Sequence, residues 1–362
     1  MPLTLHDVSV VLRRYGLPSA AALRALPGGL SHETYHVRVG DPRSHRTHPA
    51  YVVKRLVAGV NRPGFLAELD RAWSIERRMW AAGVRMPRPV PDPRTGAGYV
   101  RVAGLGTFRL HEFLDGRSAT GAATDPEVVT EAGALLASVH AAAQTGPPQA
   151  CDLAGFGITE ACRQLVAAER GRKPQLEAAI PAAEELTRSL AAERLVLRPT
   201  LTTHRDVDPK NVLLRRDGGL VLVDWDVAAL ADPHHELTSA TLDWAGAVDR
   251  RFDATLGERF LAGYRGDGGP AGVVADGVAI WLLQYLRWFE FGLRQRAKAA
   301  GGTGVGPATL PAAAASRIVD WGCRWAPQTA EDLAAIRTWV AGQVDQPLRL
   351  VHDGDRADRA GG

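Results

Sequence analysis

Cysteine, lysine and long apolar runs are all scarce in this 362-residue chain, and each shortage excludes something. The three cysteines, Cys151, Cys162 and Cys323, stand at unpaired spacings. That speaks against a disulfide framework or a zinc cage and suits a reduced cytoplasm. The most apolar helical stretch, Val273 to Leu286, is too short to cross a bilayer and carries Asp276. The N-terminus lacks the continuous apolar run of a secretion signal. The expectation is therefore a cytoplasmic protein without a membrane partner. Neither sign of charge dominates: 43 basic residues face 40 acidic ones, for a net charge of +3, so no nucleic-acid partner is expected. Lysine is rare among the basic residues, with only Lys54, Lys173, Lys210 and Lys298. In an arginine-dominated chain, a surviving lysine is a candidate for a place where arginine would not serve.

What remains is an ordinary globular mixture, 46% hydrophobic and 23% charged. It excludes a disordered, collagen-like or coiled-coil chain, and the length suits two domains or one domain of two lobes. Apolar periodicity predicts a short helix at 5–15 and strands at 22–26, 33–39 and 51–56, with a polar hairpin tip at 41–49. A helix at about 65–82 follows, then strands at 98–103 and 107–113. Beyond Gly116 helical patterns dominate, at 125–143, 157–170, 175–193, 253–264, 272–299 and 329–343. A β-rich island at 203–224 interrupts them, its Asp217-Gly218-Gly219 turn giving a hairpin signal. The reading is an α+β chain: a small β-rich N-terminal lobe at 1–111, a hinge at 112–117, a larger, mostly helical lobe at 118–352 and a frayed tail at 353–362.

The densest chemistry lies in T-H-R-D-V-D-P-K-N-V-L-L at 203–214, followed by L-V-D-W-D at 222–226. His204, Asp206, Asn211 and Asp224 form an H-x-D-x-x-x-x-N loop, a short hairpin and a strand-terminal aspartate. Phosphoryl transfer needs such a set: one carboxylate to take or orient the proton of an attacking hydroxyl, and an amide oxygen plus a second carboxylate to hold magnesium against phosphates. Asp206 is the candidate base, and Asn211 and Asp224 are the candidate metal ligands. An Asn/Asp-rich turn capping a hairpin is the plainer alternative, but it does not call for the full ordered pattern.

On these residues the chain resembles the kinase-like small-molecule phosphotransferases typified by the aminoglycoside phosphotransferases, whose relatives include choline, homoserine and fructosamine kinases. The resemblance runs from about residue 20 to 300. It implies a bilobal protein-kinase-like fold, ATP or GTP as co-substrate, and Mg2+. Further expectations follow from it. L-P-G-G-L-S-H-E at 26–33 looks like the nucleotide loop, with Gly28, Gly29 and Ser31 near phosphate. Y-V-V-K at 51–54 puts Lys54 at a strand end to contact the α- and β-phosphates. An orienting carboxylate for Lys54 should come from the next helix. Glu68 and Glu76 both qualify, and Glu68 is preferred because 68, 72, 75 and 79 make one stripe. F-R-L-H-E-F-L-D-G at 108–116 looks like the hinge, where Glu112, Phe113 and Leu114 offer backbone groups to an adenine edge. His140 and His204 read as buried structural histidines rather than catalysts.

The acceptor is less defined. A D-P-x-x-E motif soon after Asp224 leaves little platform for a peptide, which favours a small-molecule hydroxyl. Asp208 stands where protein kinases place a lysine, so it is expected to face solvent, a structural partner or a cationic acceptor. Trp288 and Glu290, in an aromatic helix at 281–291, are candidate acceptor contacts. An aminoglycoside or other antibiotic is the first reading. A metabolic kinase acting on a sugar, amino alcohol or nucleoside-like acceptor, and a silent nucleotide-binding regulator, are the alternatives. The chain is expected as a monomer or homodimer.

Overall fold

The computed structural model describes residues 2–26, 32–40, 49–57, 60, 62–147, 174–190, 200–299, 310 and 312–344. Gly28, Gly29 and Ser31, most of the hairpin tip, the helix expected at 157–170 and the tail at 353–362 lie outside the described residues.

The chain opens with α1 (Leu5–Arg14), which is started by a capping box: the Thr4 hydroxyl accepts from the Asp7 N–H at 3.2 Å, and Asp7 accepts from the Thr4 N–H at 2.9 Å. Strands β1 (Ala20–Ala25), β2 (His32–Val39) and β3 (Ala50–Leu56) follow, then α2 (Phe65–Ala81), β4 (Pro89–Val90), β5 (Val100–Val102) and β6 (Gly106–Glu112). They form an antiparallel sheet in the order β1-β2-β3-β6, with β4 and β5 both paired to β6. Alternation along these strands sends Val37, Val53, Phe108 and Leu110 inward against Val8, Val11 and Leu12 of α1, giving the first lobe its own core.

The larger lobe contains helices α3 (Pro126–Ala142), α4 (Pro174–Leu190), α5 (Pro233–Trp244), α6 (Ala254–Gly266), α7 (Gly277–Ala299) and α8 (Ala312–Val344). Asp125 and Asp232 cap α3 and α5 ahead of a proline in the first turn. Helices α3 and α6 approach so closely that a Cβ on Gly263 would lie 1.8 Å from the Thr130 carbonyl oxygen, and one on Gly133 2.0 Å from that of Phe260. Glycine there is required by space. The core continues through Trp244, Phe260, Trp281, Phe289 and Trp325.

Three departures from the sequence reading bear on the site. The end of the expected hinge runs into a strand, β7 (Gly116–Ser118), which pairs with β9 (Val212–Arg215) of the larger lobe; β9 in turn forms the expected hairpin with β10 (Leu220–Leu222). Helix α2 belongs to the first lobe by sequence but buries Ala72, Ile75 and Met79 in the larger core. Pro327 does not end a helix: α8 runs through it, with Trp325, Ala326 and Thr329 buried on either side. Two further strands, β8 (Leu201–Thr203) and β11 (Ala229–Ala231), pair with each other beside the 203–224 island.

Candidate active site

The 203–214 loop is pinned from several sides. His204 is fully buried, and its Nδ1 accepts from the Asp206 N–H at 3.3 Å. The proton therefore sits on Nε2, which donates to the Val223 carbonyl at 3.0 Å, and the ring meets Trp225 edge-on at 4.6 Å. Burial lowers the His204 pKa, which keeps the ring neutral. The Trp244 indole N–H holds the Val207 carbonyl at 2.9 Å, and the Arg205 N–H donates to Glu236 Oε1 at 2.6 Å. A buried relay stands behind Glu236. Tyr264 accepts from the Ala271 N–H, its hydroxyl donates to His140 Nδ1 at 2.7 Å, and His140 Nε2 donates to Glu236 Oε2 at 3.0 Å. This restraint fits the backbone it holds: Arg205 and Asp224 are the two described non-glycine residues at positive φ, 70° and 68°.

The loop and hairpin bring the predicted residues together. Asn211 Nδ2 donates to Asp206 Oδ2 at 2.7 Å and to the Asp206 carbonyl at 3.0 Å, which turns its amide oxygen away from Asp206 as the remaining acceptor. The Val223 N–H donates to the Asn211 carbonyl at 2.9 Å and so fixes Asp224 beside Asn211. Lys54 reaches across from β3. Its Nζ lies 2.6 Å from Asp224 Oδ1 and 2.5 Å from Asp226 Oδ2. Burial alone would discharge Lys54, but the two carboxylates outweigh it and keep the ammonium charged. Asp224 is also driven low, because Lys54 outweighs its burial.

Glu68 does not orient Lys54. It is a half-exposed residue whose carboxylate is taken up by Arg62. Glu76 is the buried acid of α2, yet it too meets other partners: Arg109 and, at 2.8 Å, His111. Arg109 sits opposite Lys54 in the β3–β6 ladder, so both side chains leave the same face of the sheet. Arg109 bridges Glu76 to Asp226, while its Nε donates to the Gly98 carbonyl at 3.4 Å. The link between helix and lysine thus runs Glu76–Arg109–Asp226–Lys54. Burial would raise Asp226, but Lys54 and Arg109 hold it far below the usual carboxylate range. Asp226, Arg109 and Glu236 are absent from the sequence-derived site set, and Glu76 stood there only as the alternative to Glu68. The second aspartate of D-W-D and the arginine of F-R-L-H-E were the available signals.

At the expected hinge, the Phe113 N–H donates to the Ala50 carbonyl at 2.9 Å and its ring lies 4.1 Å from that of His36. The Glu112 side chain pairs with Arg88, and Leu114 is half-buried. Asp208 does not face solvent. It is 5% exposed, accepts from the Lys210 N–H at 2.7 Å and pairs with the Lys210 ammonium at 2.8 Å. Trp288 and Glu290 lie away from this loop: Trp288 stacks on Phe291 beside Leu310 and Ile318, and Glu290 pairs with Arg294 one turn on. The α7 residues that turn toward the loop lie nearer the start of that helix. The Trp281 indole N–H and the Tyr285 hydroxyl both donate to Asp243 Oδ1 at 2.8 Å. Burial and the neighbouring Asp208 push Asp243 well above the normal carboxylate range. Helical spacing does not say which turn of an aromatic helix meets a loop far away in sequence.

Among the described residues no group of three histidine, cysteine or acidic side chains forms a metal cage. The donors at hand are the Asp224 carboxylate and the Asn211 amide oxygen, with Asp226 behind them. This sparse all-oxygen set suits magnesium, which keeps waters and phosphate oxygens in its shell.

A bilobal fold with a strand lysine facing a loop aspartate, an asparagine and a strand-terminal aspartate is that of a kinase-like phosphotransferase. Residues 22–270, well over half of the chain, match the family model described as APH, phosphotransferase enzyme family. The chain belongs to that family. Among solved structures it resembles spectinomycin phosphotransferase APH(9)-Ia in complex with ADP and spectinomycin (12% identity, 94% of this chain and all of the other, TM-score 0.58). It also resembles an aminoglycoside phosphotransferase from Alicyclobacillus acidocaldarius (17%, 94% and 98%, 0.52). A third is amicoumacin kinase hAmiN with AMP-PNP, Ca2+ and Ami (15%, 89% and 94%, 0.52). At these identities the likeness is one of fold. No curated protein matches the chain significantly. No helix among the described residues is long and apolar enough to cross a membrane.

Proposed function

We propose that this phosphotransferase moves the γ-phosphoryl group of a magnesium-bound nucleoside triphosphate, ATP or GTP, to a hydroxyl of a small molecule, an aminoglycoside or other antibiotic foremost. The observation that carries the reading is the convergence of Lys54, Asp206, Asn211 and Asp224 on one cleft, with Lys54 Nζ 2.6 Å from Asp224 and Asn211 Nδ2 2.7 Å from Asp206. Asp206 accepts the proton of the acceptor hydroxyl. That oxygen bonds to the γ-phosphorus as the bond to the β–γ bridging oxygen breaks, and the electron pair leaves on the nucleoside diphosphate. Asn211 Oδ1 and Asp224 hold Mg2+, which neutralises phosphate charge when bound. Lys54 turns from Asp224 toward the α- and β-phosphates, with Asp226 and Arg109 keeping it oriented. The backbone at Glu112 to Leu114 takes the adenine or guanine edge. Support for an antibiotic acceptor comes from relatives of like fold named for spectinomycin, aminoglycosides and amicoumacin.

The test is binding of magnesium-nucleotide to purified protein, followed by an acceptor panel of antibiotics, sugars and amino alcohols read by coupled diphosphate release. Asp206→Ala should depress turnover by orders of magnitude and spare nucleotide affinity, whereas Asp224→Ala should weaken magnesium-nucleotide binding as well. Failure to bind magnesium-nucleotide, or turnover indifferent to both substitutions, overturns the reading.

A further inference from the structure

No step above uses Lys210, one of only four lysines in the chain, whose ammonium touches both Asp206 and Asp208. Its ammonium lies 2.8 Å from Asp208 Oδ2 and 3.2 Å from Asp206 Oδ1. Asp208 grips the residue twice, because its other oxygen accepts from the Lys210 N–H at 2.7 Å and caps the short turn at 209–211. The Asp208 carboxylate is buried while the Lys210 side chain is about half exposed, so one end of the pair is fixed and the other can move. Burial disfavours the charge, but Asp206 and Asp208 outweigh it and keep the ammonium protonated.

The chemistry at this spot requires a cation. Charge on the transferring phosphoryl group spreads over its three equatorial oxygens, and Lys54, held beside Asp226 on the far side, serves the α- and β-phosphates. An acceptor hydroxyl bound to Asp206 places its oxygen about 3 Å from the carboxylate, and the phosphorus lies about 3–3.5 Å beyond that in an attack geometry. A four-carbon side chain already in contact with Asp206 spans that distance by rotating about its own bonds. The carboxylate at 208, which would repel phosphate if bare, is neutralised by the same ammonium.

Resting on the phosphotransfer reading above, we propose that Lys210 is the cation of the γ-phosphoryl site: held between Asp206 and Asp208 without nucleotide, its ammonium exchanges Asp206 for a γ-phosphoryl oxygen when the triphosphate arrives. Asp208 is then a positioning residue that keeps the lysine at the loop, not an acceptor contact. The exchange frees Asp206 Oδ1 for the acceptor hydroxyl, so triphosphate prepares the base.

Calorimetric titration of the full chain with magnesium AMP-PNP and with magnesium ADP tests this without an acceptor. The wild type should prefer the triphosphate analogue. Lys210→Met and Lys210→Gln should each lose about tenfold or more in AMP-PNP affinity, the worth of a charge-assisted hydrogen bond, and keep ADP affinity within about twofold. Lys210→Arg should recover part of the preference. The inference is overturned if the variants keep the preference, lose both nucleotides equally, or share with the wild type a lack of any preference. A wild type that binds neither nucleotide overturns the phosphotransfer reading itself, a distinguishable result.

Discussion

Asp226 and Asp243 flank the same loop, both withdrawn from water, and their surroundings drive them in opposite directions. Asp226 meets Lys54 and Arg109, two cations delivered side by side by the β3–β6 ladder, and stays ionised. Asp243 meets an indole N–H and a phenol, with Asp208 as a like-charged neighbour and Lys210 too weak a counterweight, and it is pushed toward its protonated form. Burial acts on both in the same sense. The sign of the outcome is decided by whether the partner carries charge. One acid thus anchors a cationic network, and the other joins Trp281 and Tyr285 in an aromatic wall.

Several substitutions break or sharpen this contrast. The largest effect is expected from Arg109→Met, which removes the main counter-charge of buried Glu76 and leaves it only His111; urea unfolding should show a loss of about 3–5 kcal/mol. The two acids should then answer amidation with opposite signs. Asp226→Asn strips Lys54 and Arg109 of their shared counter-charge and should lower the urea midpoint at pH 7. The loss should fade as the pH falls below the normal carboxylate range, because a depressed pKa contributes its stability above the unfolded value and loses it on acidification. Asp243→Asn keeps the Oδ1 acceptor for Trp281 and Tyr285 and removes the cost of ionisation. With a folded pKa raised above the unfolded 3.8, the wild type is most favoured at low pH and loses that advantage as the pH rises. The asparagine variant should therefore be the more stable protein at pH 8, with the gap closing toward pH 4. A midpoint that falls at pH 8 would show Asp243 to be ionised.

A smaller effect is expected from Tyr285→Phe, since Asp243 keeps the Trp281 donor; about 1 kcal/mol should be lost in urea unfolding. The smallest belongs to Glu68→Ala. An exposed pair with Arg62 contributes little, so both the urea midpoint and nucleotide affinity should stay at wild-type values, whereas Glu76→Ala should disturb both.

The legible parts of the molecule were those where a local rule applies. Alternation marked β2, β3 and β6 to within a residue or two, and the Asp217-Gly218-Gly219 turn marked the β9–β10 hairpin. The order of Lys54, Asp206, Asn211 and Asp224 named the residues that converge. Long-range choices were not legible. Glu68 and Glu76 lie two turns apart on similar faces of α2, and only the approach of Arg109 from β6 shows which one is drawn inside. Within the aromatic helix the sequence singled out Trp288 and Glu290, whereas the crossing of α5 and α7 sets Asp243 against the earlier turn, with Trp281 and Tyr285. The β7 strand at the end of the hinge has three residues and no pattern of its own, and its pairing with β9 defines it.

The amino-acid sequence by itself determined the kind of chemistry and which polar residues a loop and hairpin bring together, because spacing within them is fixed by covalent geometry over a few residues. The tertiary structure alone decided which charges neutralise which, because an ionisable group's state depends on partners brought in from other elements. Glu76, Arg109 and Asp226 acquire their roles only when helix, sheet and loop close on one another.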